Sequence, residues 1–191
     1  MGADKALLPL GGERFLTLAL RNARSVCPTP VIVGEADRYR AYGIVVEDQF
    51  RGCGPLGGIH AALSATCSEL NLVLSVDLPL MTPEFLQWLV STAAEGNELV
   101  TVPRLHGRLE PTCAVYRRAL LSAVETALKA GDFKVDHVFA AVPTRYISED
   151  AIHSAGFRDG LFRNINTPED YESLRHDLLE GDATGAGSYR G

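Results

Sequence analysis

Asn71-Leu72-Val73-Leu74-Ser75-Val76-Asp77-Leu78-Pro79-Leu80-Met81 is a continuous apolar run that ends on a carboxylate and then breaks at a proline. It is short, lacks apolar/polar alternation and carries β-branched Val73 and Val76, which predicts a buried strand of the kind found centrally in parallel sheets. Asp77 then stands at the carboxyl end of that strand. Open α/β sheets bind ligands there, and a carboxylate in that place can hold a hard cation over phosphates. The plainer reading is an aspartate that caps the next turn.

The segments around this run alternate between strand and helix. Upstream, Met1 to Gly12 reads as a loop entering a short hairpin, and Phe15, Leu16, Leu18, Ala19 and Ala23 mark a helix near residues 14 to 26, stopped by Pro28 and Pro30. Val31-Ile32-Val33 and Ile44-Val45-Val46 are short strands around a helix from Asp37 to Tyr42, and the second strand leads to Glu47 and Asp48. Arg51-Gly52-Cys53-Gly54-Pro55-Leu56-Gly57-Gly58 opens a helix through Ile59, Ala62 and Leu63. Such a helix start presents free N–H groups to an anion, although glycines also serve tight turns and close packing.

Downstream, Thr82 is an N-cap with Pro83 at the first helical position, and Phe85, Leu86, Leu89, Val90 and Ala93 form the buried face. Strands follow at 99–103, 112–116 and 145–147, with helices through Leu120 to Leu128 and Phe133 to Val142. A final helix is capped by Thr167-Pro168-Glu169 and carries Tyr171, Leu174 and Leu178 on one side. This alternation predicts an α/β fold: a three-layer α/β/α sandwich, Rossmann-like, on a mostly parallel sheet.

At 191 residues the chain is sized for one α/β domain. We expect that domain to span residues 1–180, with a glycine-rich disordered tail at 181–191. Eighteen basic against 24 acidic side chains give a net charge of -6, which argues against nucleic acid as the main partner and makes any phosphate site a local basic pocket. Cys27, Cys53, Cys67 and Cys113 show no paired spacing, so neither a disulfide framework nor a zinc site is indicated and a reducing cytoplasm is expected. No stretch reaches the length of a membrane span. His60, His106, His137, His153 and His176 share no ligand spacing and are read as structural or surface residues.

Four segments, in order, carry a resemblance: Met1-Gly2-Ala3-Asp4-Lys5-Ala6-Leu7-Leu8, Gly54-Pro55-Leu56-Gly57-Gly58, Asp77-Leu78-Pro79 and Asn164-Ile165-Asn166-Thr167-Pro168-Glu169-Asp170. Over about residues 1 to 178 the chain resembles the molybdenum cofactor guanylyltransferases, members of a nucleotidyltransferase superfamily with the nucleotide-diphospho-sugar-transferase-like fold. The resemblance implies transfer of GMP from GTP to the terminal phosphate of molybdopterin, with magnesium as the metal and pyrophosphate as the leaving group. It also implies molybdoenzymes or cofactor-insertion proteins as onward partners. By the family pattern Lys5 neutralises the triphosphate, Asp77 ligates the metal, and Asp48 with Gly54, Gly57 and Gly58 contacts the nucleoside. Asn164, Asn166 and Lys134 fall on the acceptor side. Phosphoryl-type transfer asks mainly for positioning and charge neutralisation, so these residue types suffice without a protein nucleophile.

Ordinary roles stand beside the functional ones. Lys5 and Lys134 are also surface lysines, Asn166 also a turn residue before the last helix, and Arg108 and Glu110 before Pro111 are open to the same two readings as Lys134. The family pattern begins before Met1, with an apolar first strand and a Leu-x-Gly-Gly-x-Ser-x-Arg loop. The natural polypeptide is therefore expected to extend upstream by a strand and a loop, with that strand lying between the one near Val31 and the one ending at Asp77. Alternatives to GMP transfer are a related nucleotidyltransferase with another base or acceptor, or a non-catalytic binding relic.

Overall fold

The computed structural model describes residues 4–184, with side chains as far as Asp177. A two-residue hairpin opens it: β1 (Pro9–Leu10) and β2 (Glu13–Arg14) pair antiparallel about Gly11 and Gly12. Both glycines take positive φ, 56° and 86°, as a primed turn requires. Then follow α1 (Phe15–Ala23), β3 (Val31–Val33), α2 (Ala36–Tyr39), β4 (Ile44–Val46), α3 (Pro55–Ser64) and β5 (Leu70–Leu74). After β5 come α4 (Pro83–Ala94), β6 (Val100–Leu105), β7 (Arg108–Leu109), β8 (Cys113–Arg117), α5 (Leu121–Lys129), α6 (Val135–Ala140), β9 (Thr144–Ile147), α7 (Glu149–Ser154) and α8 (Pro168–Thr184). Helix α8 thus continues through residues 181–184, where a tail was expected. The remainder of that tail and Met1 to Ala3 lie outside the described residues, as does the side chain of Leu178.

The main sheet has the order β5-β8-β6-β7, with β9 on the other side of β6. β5, β6 and β7 all take antiparallel partners, while β9 runs parallel to β6. The sheet is therefore mixed, because β8 returns from β6 through the short β7 segment and inserts beside β5. Alternating side chains send Val100, Val102, Ala114 and Tyr116 into one core with α3, α5 and α6. Their neighbours Cys113 and Val115 pack with Leu105 and Ile147 against Phe85, Leu86, Leu89 and Ala93 of α4. Period-two alternation across a sheet with helices on both faces gives the three layers. The buried face of α4 is the one its spacing predicts, and Thr82 caps it by accepting the Phe85 N–H.

One feature departs from the sequence reading. β3 and β4 pair parallel in a sheet of their own, and β5, expected to be buried, is half-exposed at all five residues. One edge of β5 is satisfied by β8, from Leu70↔Arg117 to Leu74↔Cys113. The other looks across a cavity of about 610 Å³ whose opposite wall is Val31, Ile32 and Val33 of β3.

Candidate active site

Asp77 lies in the turn just beyond β5, and several elements hold that turn. The Ser75 N–H donates to the Thr112 carbonyl at 2.7 Å, carrying the β5–β8 ladder one step further. Leu78 and Met81 are buried, the Asn22 side chain of α1 donates to the Met81 carbonyl at 2.6 Å, and the Ile165 N–H donates to the Asp77 carbonyl at 3.0 Å. Thr82, not Asp77, caps α4. Its Oδ1 is buried and has no hydrogen-bond partner among the described residues. Buried polar atoms are nearly always paired; among the described residues His60 Nδ1 and Glu98 Oε2 share this condition, and of the three only Asp77 follows the end of β5.

Glu110 stands in the turn just before β8, where the Cys113 N–H donates to its carbonyl at 3.0 Å, and its side chain is near enough to Asp77 to feel that charge. The turn bearing Glu110 is fixed by the Tyr116 hydroxyl, which donates to the Pro111 carbonyl at 2.6 Å, and by the Glu110 N–H, which donates to the Pro103 carbonyl at 3.0 Å. Burial, and then the Asp77 charge, raise the Glu110 carboxyl above its ordinary value. Two carboxylates confronted in a partly dry place favour a cation between them. No motif announces Glu110; only the β5–β8 pairing, invisible to local spacing, reveals it.

Lys5 arrives from the other end of the chain. It begins a single 3-10 turn, Lys5–Leu7, capped by Asp4, whose Oδ1 accepts the Ala6 N–H at 3.1 Å. The second Asp4 oxygen accepts the Tyr39 hydroxyl at 2.7 Å. Burial, then the hydrogen bond to Asp4, push the Tyr39 phenol up to about 12. Thus fixed, Lys5 donates from Nζ to Asn166 Oδ1 at 3.0 Å. Asn166 is presented by its neighbours: Ile165 is fully buried with Phe15 and Leu174, which leaves Asn164 and Asn166 exposed on either side of it. Asp170 accepts the N–H groups of Asn166 and Thr167 at 3.0 and 2.8 Å, while Thr167 Oγ1 accepts the Asp170 N–H, a capping box at the start of α8. Those backbone bonds hold the Asp170 carboxyl below its ordinary value. Lys5, Asp77 and the 164–166 segment, far apart in sequence, therefore meet at one edge.

The glycine-rich loop is built to hold Asp48. Gly54, at φ +62° and ψ -151°, precedes α3 without a side-chain cap, in a conformation that L side chains rarely adopt. A Cβ on Gly57 would stand 2.7 Å from Asp48 Oδ2 and 2.7 Å from the Phe50 carbonyl, whereas one on Gly58 would meet nothing within 4 Å. Asp48 Oδ1 accepts the Phe50 N–H at 2.7 Å. An acceptor carboxylate thus sits against a helix start whose own N–H groups favour anions. Pro55 and Gly58 of α3 line the same cavity as Ser75 and Val76.

A family model described as the MobA-like NTP transferase domain matches residues 1–145. The chain belongs to this family. A probable molybdenum cofactor guanylyltransferase from Pelotomaculum thermopropionicum is 34% identical over 187 residues, covering 97% of this chain and 90% of that protein. Molybdopterin-guanine dinucleotide biosynthesis protein A from Archaeoglobus fulgidus has a similar structure, with a TM-score of 0.79 at 22% identity over 94% of this chain and 92% of that one. A 2-C-methyl-D-erythritol 4-phosphate cytidylyltransferase from Thermus thermophilus gives a TM-score of 0.67 at 19% identity, over 92% and 94%. These bear out the expected α/β nucleotidyltransferase fold, with the mixed sheet described above.

This MobA-like nucleotidyltransferase leaves one expected residue apart from the rest. Lys134 is exposed at the N-cap of α6, its backbone N–H on Asp132 Oδ1 at 3.2 Å, and no described contact joins it to Lys5 or Asp77. Asn164 is exposed beside Ile165. The histidines hold one arrangement that linear spacing cannot show: ligand atoms of His106, Glu149 and Asp159 lie within 4.8 Å of one another. His106 Nδ1 already pairs with Glu149 at 3.1 Å inside that group, and Asp159 pairs with His153 outside it at 2.6 Å. No helix among the described residues is long and apolar enough to cross a membrane.

Proposed function

We propose that this nucleotidyltransferase moves GMP from GTP to the terminal phosphate of molybdopterin and releases pyrophosphate. The observation that carries the reading is the buried, unpartnered Oδ1 of Asp77 at the edge where Lys5 meets Asn166. Relatives named for this activity, about a third identical over nearly the whole chain, support it.

Asp77, with Glu110 nearby, would hold magnesium, whose charge, when bound, offsets that of the phosphates and of the departing pyrophosphate. Hard oxygen donors of this kind suit that ion. Lys5 binds the triphosphate as a point charge. Asn166, the present acceptor of its Nζ, holds the ammonium in place until phosphate oxygens compete for it. Asp48 and the Gly54, Gly57 and Gly58 loop receive the nucleoside, the carboxylate accepting from base or ribose donors. Asn164 and Asn166 face the acceptor, and Lys134 lies on the acceptor's approach. An oxygen of the acceptor phosphate attacks the α-phosphorus in line, the bond to the β-phosphate oxygen breaks, and the electron pair leaves on pyrophosphate. No protein nucleophile takes part. The setting is the cytoplasm, and the product passes to molybdoenzymes or cofactor-insertion proteins.

The test is transfer of labelled GMP to molybdopterin by the protein, with magnesium, and with CTP as the competing donor. GMP transfer that disappears in Asp77→Asn supports the reading. Preference for CTP, or full turnover by Asp77→Asn, overturns it.

A further inference from the structure

We infer that His106, Glu149 and Asp159 form a second metal site, which takes a borderline divalent cation such as zinc through one imidazole and two carboxylates. One ligand atom from each of the three lies within 4.8 Å of the others. They come from three separate elements: the β6–β7 turn, the first turn of α7 and the 3-10 turn Asp159–Phe162. Ligands about 2.0–2.2 Å from a tetrahedral ion lie about 3.3–3.6 Å apart, so closure asks only for small side-chain rotations. Imidazole mixed with carboxylate suits zinc, cobalt or nickel, whereas magnesium favours oxygen throughout. The site therefore differs in kind from the Asp77 edge.

The backbone holds an imidazole where none is favoured. His106 and Gly107 take φ 48° and 75° in the two-residue turn between Leu105 and Arg108, a place that suits Asn-Gly, and among the described residues His106 is the one non-glycine with positive φ. Fastening the turn to α7 does not require the ring, because the His106 backbone N–H already donates to Glu149 Oε2 at 3.0 Å. The ring instead stands between two carboxylates, Nδ1 3.1 Å from Glu149 Oε1 and Nε2 3.9 Å from Asp159 Oδ2. A neutral imidazole has one N–H and one lone pair, so whichever nitrogen bears the lone pair faces an acceptor oxygen. A cation shared by the two resolves that opposition. Asp159 is set for it: His153 Nε2 donates to Oδ1 at 2.6 Å, which leaves Oδ2 toward His106. Carboxylate ligands are ordinarily held in this way by a hydrogen bond from outside the metal shell. Glu149 and His153 lie one helical turn apart on α7, while Ile152 between them is fully buried and anchors the helix. An ion here would fasten the turn that leads through β7 to Glu110 to the segment that runs on into Asn164 and Asn166. The inference rests on the cluster and uses no property of the reaction.

The experiment titrates untagged protein with zinc, and in parallel with cobalt, in excess magnesium, comparing the parent with His106→Asn, His153→Ala and Asp77→Asn. Zinc should raise the parent's Tm, since an ion that binds only the folded state stabilises it, and should slow backbone exchange at the β6–β7 turn and in α7. Asparagine suits the left-handed turn position, so His106→Asn should fold like the parent and lose the zinc response. If it does not fold, Glu149→Gln, which keeps an oxygen for the His106 N–H, makes the same comparison. His153→Ala removes only the orienting bond and should weaken zinc about 10–100-fold, and Asp77→Asn should bind it like the parent. Cobalt should give a visible spectrum without thiolate charge transfer. Undiminished zinc binding by His106→Asn, or no response of the parent to excess zinc, overturns the inference. So does cobalt–thiolate absorption, which would place the ion on exposed Cys27 or Cys67, or loss of zinc binding in Asp77→Asn alone, which would place it at the Asp77 edge. GMP transfer enters none of these readouts, so their failure is separate from a failure of the proposed function.

Discussion

Replacing Gly57 by alanine sets a methyl group 2.7 Å from Asp48 Oδ2 and 2.7 Å from the Phe50 carbonyl. One of those neighbours is backbone, in a turn closed by the Asp48 hydrogen bond to the Phe50 N–H, so the contact cannot be relieved by a rotamer change. Overpacking of this kind costs about 1–3 kcal/mol, and a domain of this size loses about 2–4 °C per kcal/mol; Tm should fall by about 2–12 °C. Gly58 gives the internal control. A Cβ there meets nothing within 4 Å, and alanine in a helix is worth about 0.5–1 kcal/mol over glycine, so Gly58→Ala should raise Tm by about 1–4 °C. Two adjacent glycines of one motif therefore carry opposite signs in a thermal melt, and only the first should also weaken GTP binding by calorimetry, through displacement of Asp48. Asp48→Asn, which keeps an acceptor for Phe50, should weaken GTP binding with little change in Tm. A Gly57→Ala protein as stable as the parent, or a Gly58→Ala protein less stable, refutes the packing argument.

Asp77→Asn removes the charge but keeps the shape, so manganese binding followed by electron paramagnetic resonance should be lost while Tm at neutral pH is held or raised; retained binding would remove Asp77 from the metal site. Glu110 titrates above its ordinary value because of burial and then Asp77, so the fold favours its protonated form. The stability it contributes is present at low pH and lost as pH rises through that raised value, and Glu110→Gln, which mimics the protonated form, should raise the apo Tm at pH 7 while lowering manganese affinity. Both partners of the Lys5–Asn166 bond lie at the surface, so Lys5→Met should cost little stability, within about 1 kcal/mol. It should nevertheless cut GMP transfer by on the order of a hundredfold, consistent with a lost positive contact to the phosphates; unchanged turnover would return Lys5 to the solvated surface.

What local sequence made legible was whatever a short window determines. The face of α4, the Thr82 cap, the Gly11–Gly12 hairpin and the alternation of layers each depend on residues a few positions apart. The convergence of Lys5, Asp77 and Asn166 was legible only through the order of the four motifs, because nothing local ties residues separated by 161 positions. Glu110 stayed ambiguous in the sequence for the corresponding reason: its nearness to Asp77 depends on β8 inserting antiparallel beside β5, while the alternation of strands and helices suggested parallel neighbours. The apolar run from Asn71 to Met81 makes the same point. Its composition fits a strand with a partner on each side, yet β5 has one partner and is half-exposed. Composition records the environment a strand is suited to. A central-strand composition on a strand with one partner among the described residues therefore marks the edge of β5 that faces Val31, Ile32 and Val33 of β3 across the cavity as the unusual feature.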